Sequence, residues 1–332
     1  MADSRDLIET FDARARRRES RRAFFVNAAT AAAGATAFAY ASAAAAQTTV
    51  TDADVLNFAL NLEYLEANFY AFAATGAPLA ATDIDGTVGV AGAATGGRAV
   101  NFGTDAAVAQ YAREIYEDEL AHVRFLRTAL GTAKVAQPRI DLGTDPNGAF
   151  SNAARAAKLI GDGQSFDPYA SPEAFLLGAY IFEDVGVTAY KGAAPLLTNK
   201  TFLEAAAGIL AVEAYHAAIV RTTLYRKGIE TPSLKLIEAS EAISTARDSL
   251  DGRPTEDLVK GIAPDDDQGL ATTSTVDGTI SNIVPLNSNG IAFSRSAGQT
   301  LNIVYLNAAA VSMGGFFPAC VNGTIKTSAA ST

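Results

Sequence analysis

Two histidines are all the imidazole that the 332 residues supply, and each stands three positions after a glutamate. His122 closes Glu119-Leu120-Ala121-His122, and His216 closes Glu213-Ala214-Tyr215-His216. Residues three apart on an α-helix share a face, so each pair aims a carboxylate and an imidazole at one point. Both pairs lie inside long segments of helical apolar period. A chain built this way must bring helices together around a polar centre.

The period predicts four long helices. The first runs from about Asp52 to Thr75, with Thr51 or Asp52 as cap and Gly76 and Pro78 as the stop. Its apolar set is Leu56, Ala59, Leu60, Leu62, Phe69 and Phe72. The second runs from about Asp105 to Leu130, between Thr104 and Gly131. The third opens on Ser171-Pro172-Glu173, a cap followed by a first-turn proline and an acid, and ends near Gly192. The fourth spans about Asn199 to Lys227 and stops at Gly228, and Ser233 to Leu250 reads as a fifth, shorter helix. Residues 76 to 103, rich in Gly, Ala and Thr, read as a long surface loop. Residues 131 to 170, with Pro138, Pro146, Gly161 and Pro168, read as a longer crossover. The short link between the third and fourth helices makes them antiparallel neighbours. The fold class is therefore mainly α, a four-helix bundle with a long crossover in its middle.

From about Thr255 the texture changes to Thr, Ser, Asn and Gly. Thr279-Ile280-Ser281-Asn282-Ile283-Val284 and Leu301-Asn302-Ile303-Val304-Tyr305-Leu306 read as strands of a small C-terminal appendage. The tail after Lys326 reads as disordered. Asp265-Asp266-Asp267 and Arg295 read as solvated surface as readily as anything else. The organisation expected is an export segment over 1–46, a helical bundle over 47–250 and a strand-containing extension over 251–332.

The first of these parts is an address. Arg16-Arg17-Arg18 and Ser20-Arg21-Arg22-Ala23-Phe24-Phe25 precede an uncharged, alanine-rich run from Asn27 to Ala46. That arrangement resembles the twin-arginine export signal, with a cleavage site at Ala44-Ala45-Ala46. It implies a periplasmic or extracellular protein. After residue 47 no segment reads as a membrane-spanning helix, so no stable membrane insertion is expected. With 26 basic against 36 acidic residues the net charge is −10, which excludes a phosphate-neutralising nucleic-acid binder. One cysteine, Cys320, excludes an internal disulfide framework and a multi-thiolate zinc site.

The other two helices supply further carboxylates. Glu63 lies within Ala59-Leu60-Asn61-Leu62-Glu63-Tyr64-Leu65, and Glu183 within Ala179-Tyr180-Ile181-Phe182-Glu183. A carboxylate on a face that belongs in the core needs a cation or a metal. A weak repeat supports the pairing. Glu63 precedes Tyr70 by seven residues and Glu183 precedes Tyr190 by seven; His122 precedes Arg127 by five and His216 precedes Arg221 by five. The two halves would then face each other across a pseudo-twofold axis. Glu66 rivals Glu63, but its counterpart in the repeat is Gly186. Tyr70 and Tyr190 read as core aromatics more readily than as partners of the glutamates.

With Glu, Glu-x-x-His, Glu and Glu-x-x-His on four successive helices, residues 52 to 227 resemble the ferritin-like di-metal carboxylate superfamily. The export signal, Phe316-Phe317-Pro318 and Asn322-Gly323 resemble the branch related to plant desiccation proteins. The resemblance implies two iron or manganese ions, one bound by Glu63 and His122, the other by Glu183 and His216. Glu119 and Glu213 would bridge them, and Glu66, Tyr70 and Tyr190 would stand behind the ligands. The partners implied are metal ions with dioxygen or peroxide, and a homo-oligomer is compatible with the bundle. The activity implied is metal oxidation or peroxide scavenging in stress protection, of ferroxidase, peroxidase or manganese-catalase type. The alternative is a non-enzymatic stress, desiccation or surface protein that uses the bundle as a scaffold.

Overall fold

Local signals set the helix ends. Helix α1 (Asp52–Thr75) begins with a capping box, in which Thr51 Oγ1 accepts from the Asp54 amide at 3.2 Å and the Thr51 amide donates back to Asp54. It ends at Gly76 with φ 80°, the left-handed conformation that glycine adopts without strain. After the single turn α2 (Ala81–Ile84), helix α3 (Ala106–Leu130) starts on the Asp105 side chain. Helix α4 (Ala149–Ala156) lies in the crossover, and α5 (Pro172–Ala193) starts on Ser171 with proline in its first turn. Helix α6 (Lys200–Glu230) starts on Asn199. It runs past Gly228, which does not stop it: a Cβ there would lie 2.9 Å from Ile237 of α7 (Leu236–Asp251), so the glycine serves a close helix contact. The last helix among the described residues is α8 (Ala297–Tyr305). This computed structural model describes residues 50–252, 267–287 and 289–331. The export segment 1–46, Asp265 and Asp266 fall outside the described residues.

The long helices pack as two pairs, α1 with α3 and α5 with α6. Helix α1 is buried from Val55 to Ala73 without a break, so it needs cover on every side. The segments 76–103 and 131–170 provide it: the first is mostly exposed, as expected of a surface loop, and anchors itself through a few buried side chains, while the crossover is buried in several stretches. Leu79, Ala94, Val100, Ile140, Leu142 and Phe150 all reach the core. Strands β1 (Ala94–Thr95) and β2 (Ile140–Asp141) join the two segments in parallel, in register Ala94↔Ile140. Gly92 is required there, because a Cβ would sit 2.3 Å from the Arg139 nitrogen.

The C-terminal region corrects three expectations. It carries a short exposed hairpin, β3 (Thr273–Thr275) with β4 (Gly278–Ile280), but Leu301–Leu306 is not a strand. Ser296 and Gln299 form a capping box that starts α8, which is buried throughout from Thr300 to Tyr305. Continuous burial erases the polar stripe that marks a helix in sequence. The tail is ordered by hydrogen bonds: Ser328 N–H to Val311 O, Ala329 N–H to Gly298 O and Ser331 N–H to Ala308 O. Asp267 and Arg295 are not solvated, being 4% and 1% exposed. They belong to a buried charge network. Arg221 Nη1 donates to Asp184 at 2.7 Å, Arg247 donates to Asp184 at 2.9 Å and to Asp267 at 2.7 Å, and Arg295 binds Asp267 at 2.5 Å and also Asp251.

Removing one partner from such a network strands the others. Arg247→Ala leaves Asp184 and Asp267 buried without their shared cation, and the expected loss is about 3–5 kcal/mol in urea unfolding. Arg226→Ala, which breaks an exposed pair with Glu230 at 3.5 Å, should change stability by no more than ~0.5 kcal/mol.

By length and composition α6, the fourth helix of the sequence, is long and apolar enough to cross a membrane, which the sequence reading did not expect of any segment after residue 47. One face of it packs into the bundle and buries Glu213, His216 and Arg221.

Candidate metal centre

Helix α1 contributes Glu63 and Glu66, α3 Glu119 and His122, α5 Glu183, and α6 Glu213 and His216. All seven are buried. His122 Nδ1 lies 3.3 Å from Glu63 Oε2, 3.6 Å from Glu119 Oε2 and 3.9 Å from Glu213 Oε1. His216 Nδ1 lies 3.0 Å from Glu119 Oε1 and 3.8 Å from Glu183 Oε2. Glu119 therefore divides its two oxygens between the two histidines, whose ring centroids are 6.4 Å apart. Two groups have ligand atoms within 4.8 Å of one another and could each hold an ion: Glu63–Glu119–His122–Glu213 and Glu183–Glu213–His216. Glu213 belongs to both. The structure thus brings together all six residues that the repeat singled out, with Glu66 beside them and outside both groups.

Among the described residues, eight buried side-chain nitrogen and oxygen atoms lack a hydrogen-bond partner. They are Glu63 Oε2, both oxygens of Glu119, His122 Nδ1, Glu183 Oε2, both oxygens of Glu213 and His216 Nδ1. Each stranded polar atom costs stability, so eight converging on one spot form a site that a bound cation could satisfy.

The surrounding groups aim these atoms inward. The Tyr70 hydroxyl, on α1, donates to Glu183 Oε1, and the Tyr190 hydroxyl, on α5, donates to Glu63 Oε1. Each tyrosine fixes one oxygen of the opposite glutamate and leaves the other facing a histidine. This overturns the reading of both as plain core aromatics. His216 Nε2 meets Asp118 Oδ2 at 3.1 Å, which anchors the far side of the ring and leaves Nδ1 pointing inward. Asp118 was missed in the sequence, and its only signal is its place next to Glu119. The repeated arginines also have a structural role. Arg127 Nη1 donates to Tyr64, and Arg221 Nη1 to Asp184, the residues immediately after Glu63 and Glu183.

Electrostatics reports crowded negative charge. Burial, then the Glu119 charge, pushes Glu63 up to about 7. Burial, with Glu119 again, pushes Glu183 up to about 8. Burial and neighbouring carboxylates push Glu66 and Glu213 well above the carboxylate range. Burial opposes charge on Glu119 as well, but the two imidazoles outweigh it and hold this carboxyl low. Burial also opposes the imidazolium of His122, but Glu63 and Glu119 hold it up at about 11; for His216, Glu119 and Glu183 hold it at about 9. Four of the five carboxyls thus tend to hold protons in the metal-free fold, and a bound cation would take the place of those protons.

Comparison with known proteins agrees with this geometry. The family described as the ferritin-like domain matches residues 51–226. The chain belongs to that family. A desiccation-related protein of Craterostigma plantagineum is 29% identical over 280 residues, covering 82% of this chain and 83% of the relative. A ferritin-like catalase of Nesocodon mauritianus is 27% identical over 277 residues, covering 82% and 84%. No solved structure matches. The chain is thus a ferritin-like protein with a buried glutamate–histidine cluster whose residues could bind metal.

Proposed function

We propose that this ferritin-like protein holds two iron or manganese ions in the cluster and acts with them on dioxygen or peroxide. The observation that carries the reading is the set of eight stranded ligand atoms, all on the six residues of the repeat. Oxygen and imidazole donors without a thiolate suit iron or manganese. When bound, such a pair supplies reversible electron transfer. The protein's own part is to bind and orient. Glu63 and His122 would hold one ion, Glu183 and His216 the other, and Glu119 and Glu213 would be shared. Tyr70 and Tyr190 lock the two terminal glutamates, Asp118 fixes the orientation of His216, and the apolar walls of α1 and α5 keep bulk water out.

The Nesocodon relative is named a catalase, which favours peroxide as the oxidant. The name of the Craterostigma relative supports the second reading, a stress protein whose bundle is a scaffold. One experiment separates them. Protein purified without chelators is analysed for metal, then supplied with hydrogen peroxide while peroxide loss and oxygen release are followed. Less than about one iron or manganese per chain defeats the metal reading. Full metal without turnover leaves the scaffold, and oxygen release by the manganese form assigns a catalase.

Ser20-Arg21-Arg22-Ala23-Phe24-Phe25 supports export by the twin-arginine route to the periplasm or beyond. Replacing Arg21 and Arg22 with lysine should keep the protein inside the cell, as read by fractionation.

A further inference from the structure

The match between α1 and α5 breaks at one position. Three residues after Glu63 stands Glu66; three after Glu183 stands Gly186. A Cβ on Gly186 would lie 2.3 Å from Glu213 Oε2 and 3.3 Å from Glu66 Oε1. The missing side chain is what leaves space for both carboxylates. Glu66 is 5% exposed, yet it contributes none of the stranded atoms. It also makes none of the ion pairs that its neighbours make with His122 and His216. No hydrogen bond ties it to another described residue.

Glu66 faces a cavity. A space of about 20 Å³ lies between α1, α5 and the C-terminal segment, walled by Glu66, Gly186, Leu62, Phe182, Val304, Phe316 and other apolar side chains. That is room for about one small molecule. Glu66 is the one polar side chain in the wall. A stable buried water needs two to four polar partners, which a single carboxyl supplies poorly. An anion would meet Glu66 with no cation in the wall. The occupant that fits is uncharged, as small as a diatomic molecule, and content with apolar surroundings and at most one hydrogen-bonding group.

We propose that this cavity is the holding site for an uncharged two-oxygen molecule, dioxygen or hydrogen peroxide. Glu66 is the polar group the molecule touches, and Gly186 keeps the space between cavity and cluster open. The purpose of the site rests on the metal reading above; the site itself does not. Dioxygen needs only the apolar walls, whereas hydrogen peroxide can also donate to Glu66.

Xenon, an apolar probe of similar size, tests the cavity in the metal-free protein. Xenon NMR should show a saturable shift with the wild-type protein. Val304→Phe, which fills the space, should weaken binding at least tenfold, and Val185→Ala, which enlarges it, should strengthen it. Circular dichroism and Tm confirm that both variants fold. In iron-loaded protein of equal iron content, Val304→Phe should slow oxidation by both oxidants at least tenfold in stopped flow. Glu66→Leu should slow the peroxide reaction alone if peroxide is the guest, and neither reaction if dioxygen is. No saturable xenon shift in the wild type, or a Val304→Phe variant that binds xenon and oxidises like the wild type, overturns the proposal. A protein that takes up xenon as described but retains no metal leaves the cavity standing and defeats the metal reading instead.

Discussion

Glu119→Ala is expected to strip both metal positions at once, whereas His122→Ala or His216→Ala should weaken one and spare much of the other. The asymmetry follows from distance. Glu119 Oε2 serves the His122 side at 3.6 Å and Glu119 Oε1 serves the His216 side at 3.0 Å, so this carboxylate, like Glu213, reaches both sides. Groups that only support a ligand cost roughly 10–100-fold in metal affinity when lost, so a shared ligand should cost more than about a hundredfold at each position. Titration of the metal-free variants with ferrous or manganous ion reads this directly. The wild type should fill to about two ions per chain, each histidine variant to about one at low metal concentration, and Glu119→Ala to neither. Metal content unchanged in Glu119→Ala would remove the dinuclear centre from consideration. Glu66→Gln is the internal control, since Glu66 lies outside both ligand groups and should leave stoichiometry alone.

Much of this site was readable before any coordinates because its signals are local and rare. With two histidines in the chain, imidazole chemistry had only two places to go, and the glutamates within apolar runs marked core faces. Helix starts were readable for the same reason: Thr51 with Asp54, and Ser171 with Pro172, are complete within one turn. What stayed hidden depends on partners distant in sequence. Asp267 and Arg295 look like ordinary surface charges until α7 and α5 bring Arg247, Asp251 and Asp184 between them. Asp118 is nearly half exposed at its side chain, so nothing local separates it from a solvated acid. Helix α8 was mistaken for a strand because it is covered all round. That the segments 76–103 and 131–170 also send side chains into the core is not legible, because the glycines that allow backbone to pack on backbone also resemble flexible linker.

Stability should respond to pH in opposite directions with and without metal. In the metal-free fold Glu63 titrates at about 7 and Glu183 at about 8, against 4.5 in the open chain. His122 titrates at about 11 and His216 at about 9, against 6.5. A group whose pKa is higher in the fold holds its proton more tightly there. Its stabilisation is complete below the unfolded pKa and disappears as pH rises through the folded one. Glu63 loses its share between about 4.5 and 7, Glu183 between 4.5 and 8, His216 between 6.5 and 9 and His122 between 6.5 and 11, so all four act together from 6.5 to 7 and three of them on to 8. The Tm of chelator-treated protein should therefore fall across that interval. Bound metal reverses the sign, because ligands coordinate in their deprotonated forms and affinity grows as pH rises. Metal at a thousand times its Kd adds about 4 kcal/mol, and each kcal/mol moves Tm by about 2 °C or more in a domain of this size. At that excess the Tm gap between loaded and chelator-treated protein should reach about 8 °C or more at pH 8 and narrow toward pH 6. A gap that stays constant over this range would mean that the cluster does not exchange protons for metal. In the nearby buried network, burial disfavours charge on Asp267, but Arg247 and Arg295 hold its carboxyl well below the usual range, so Asp267 stays ionised throughout.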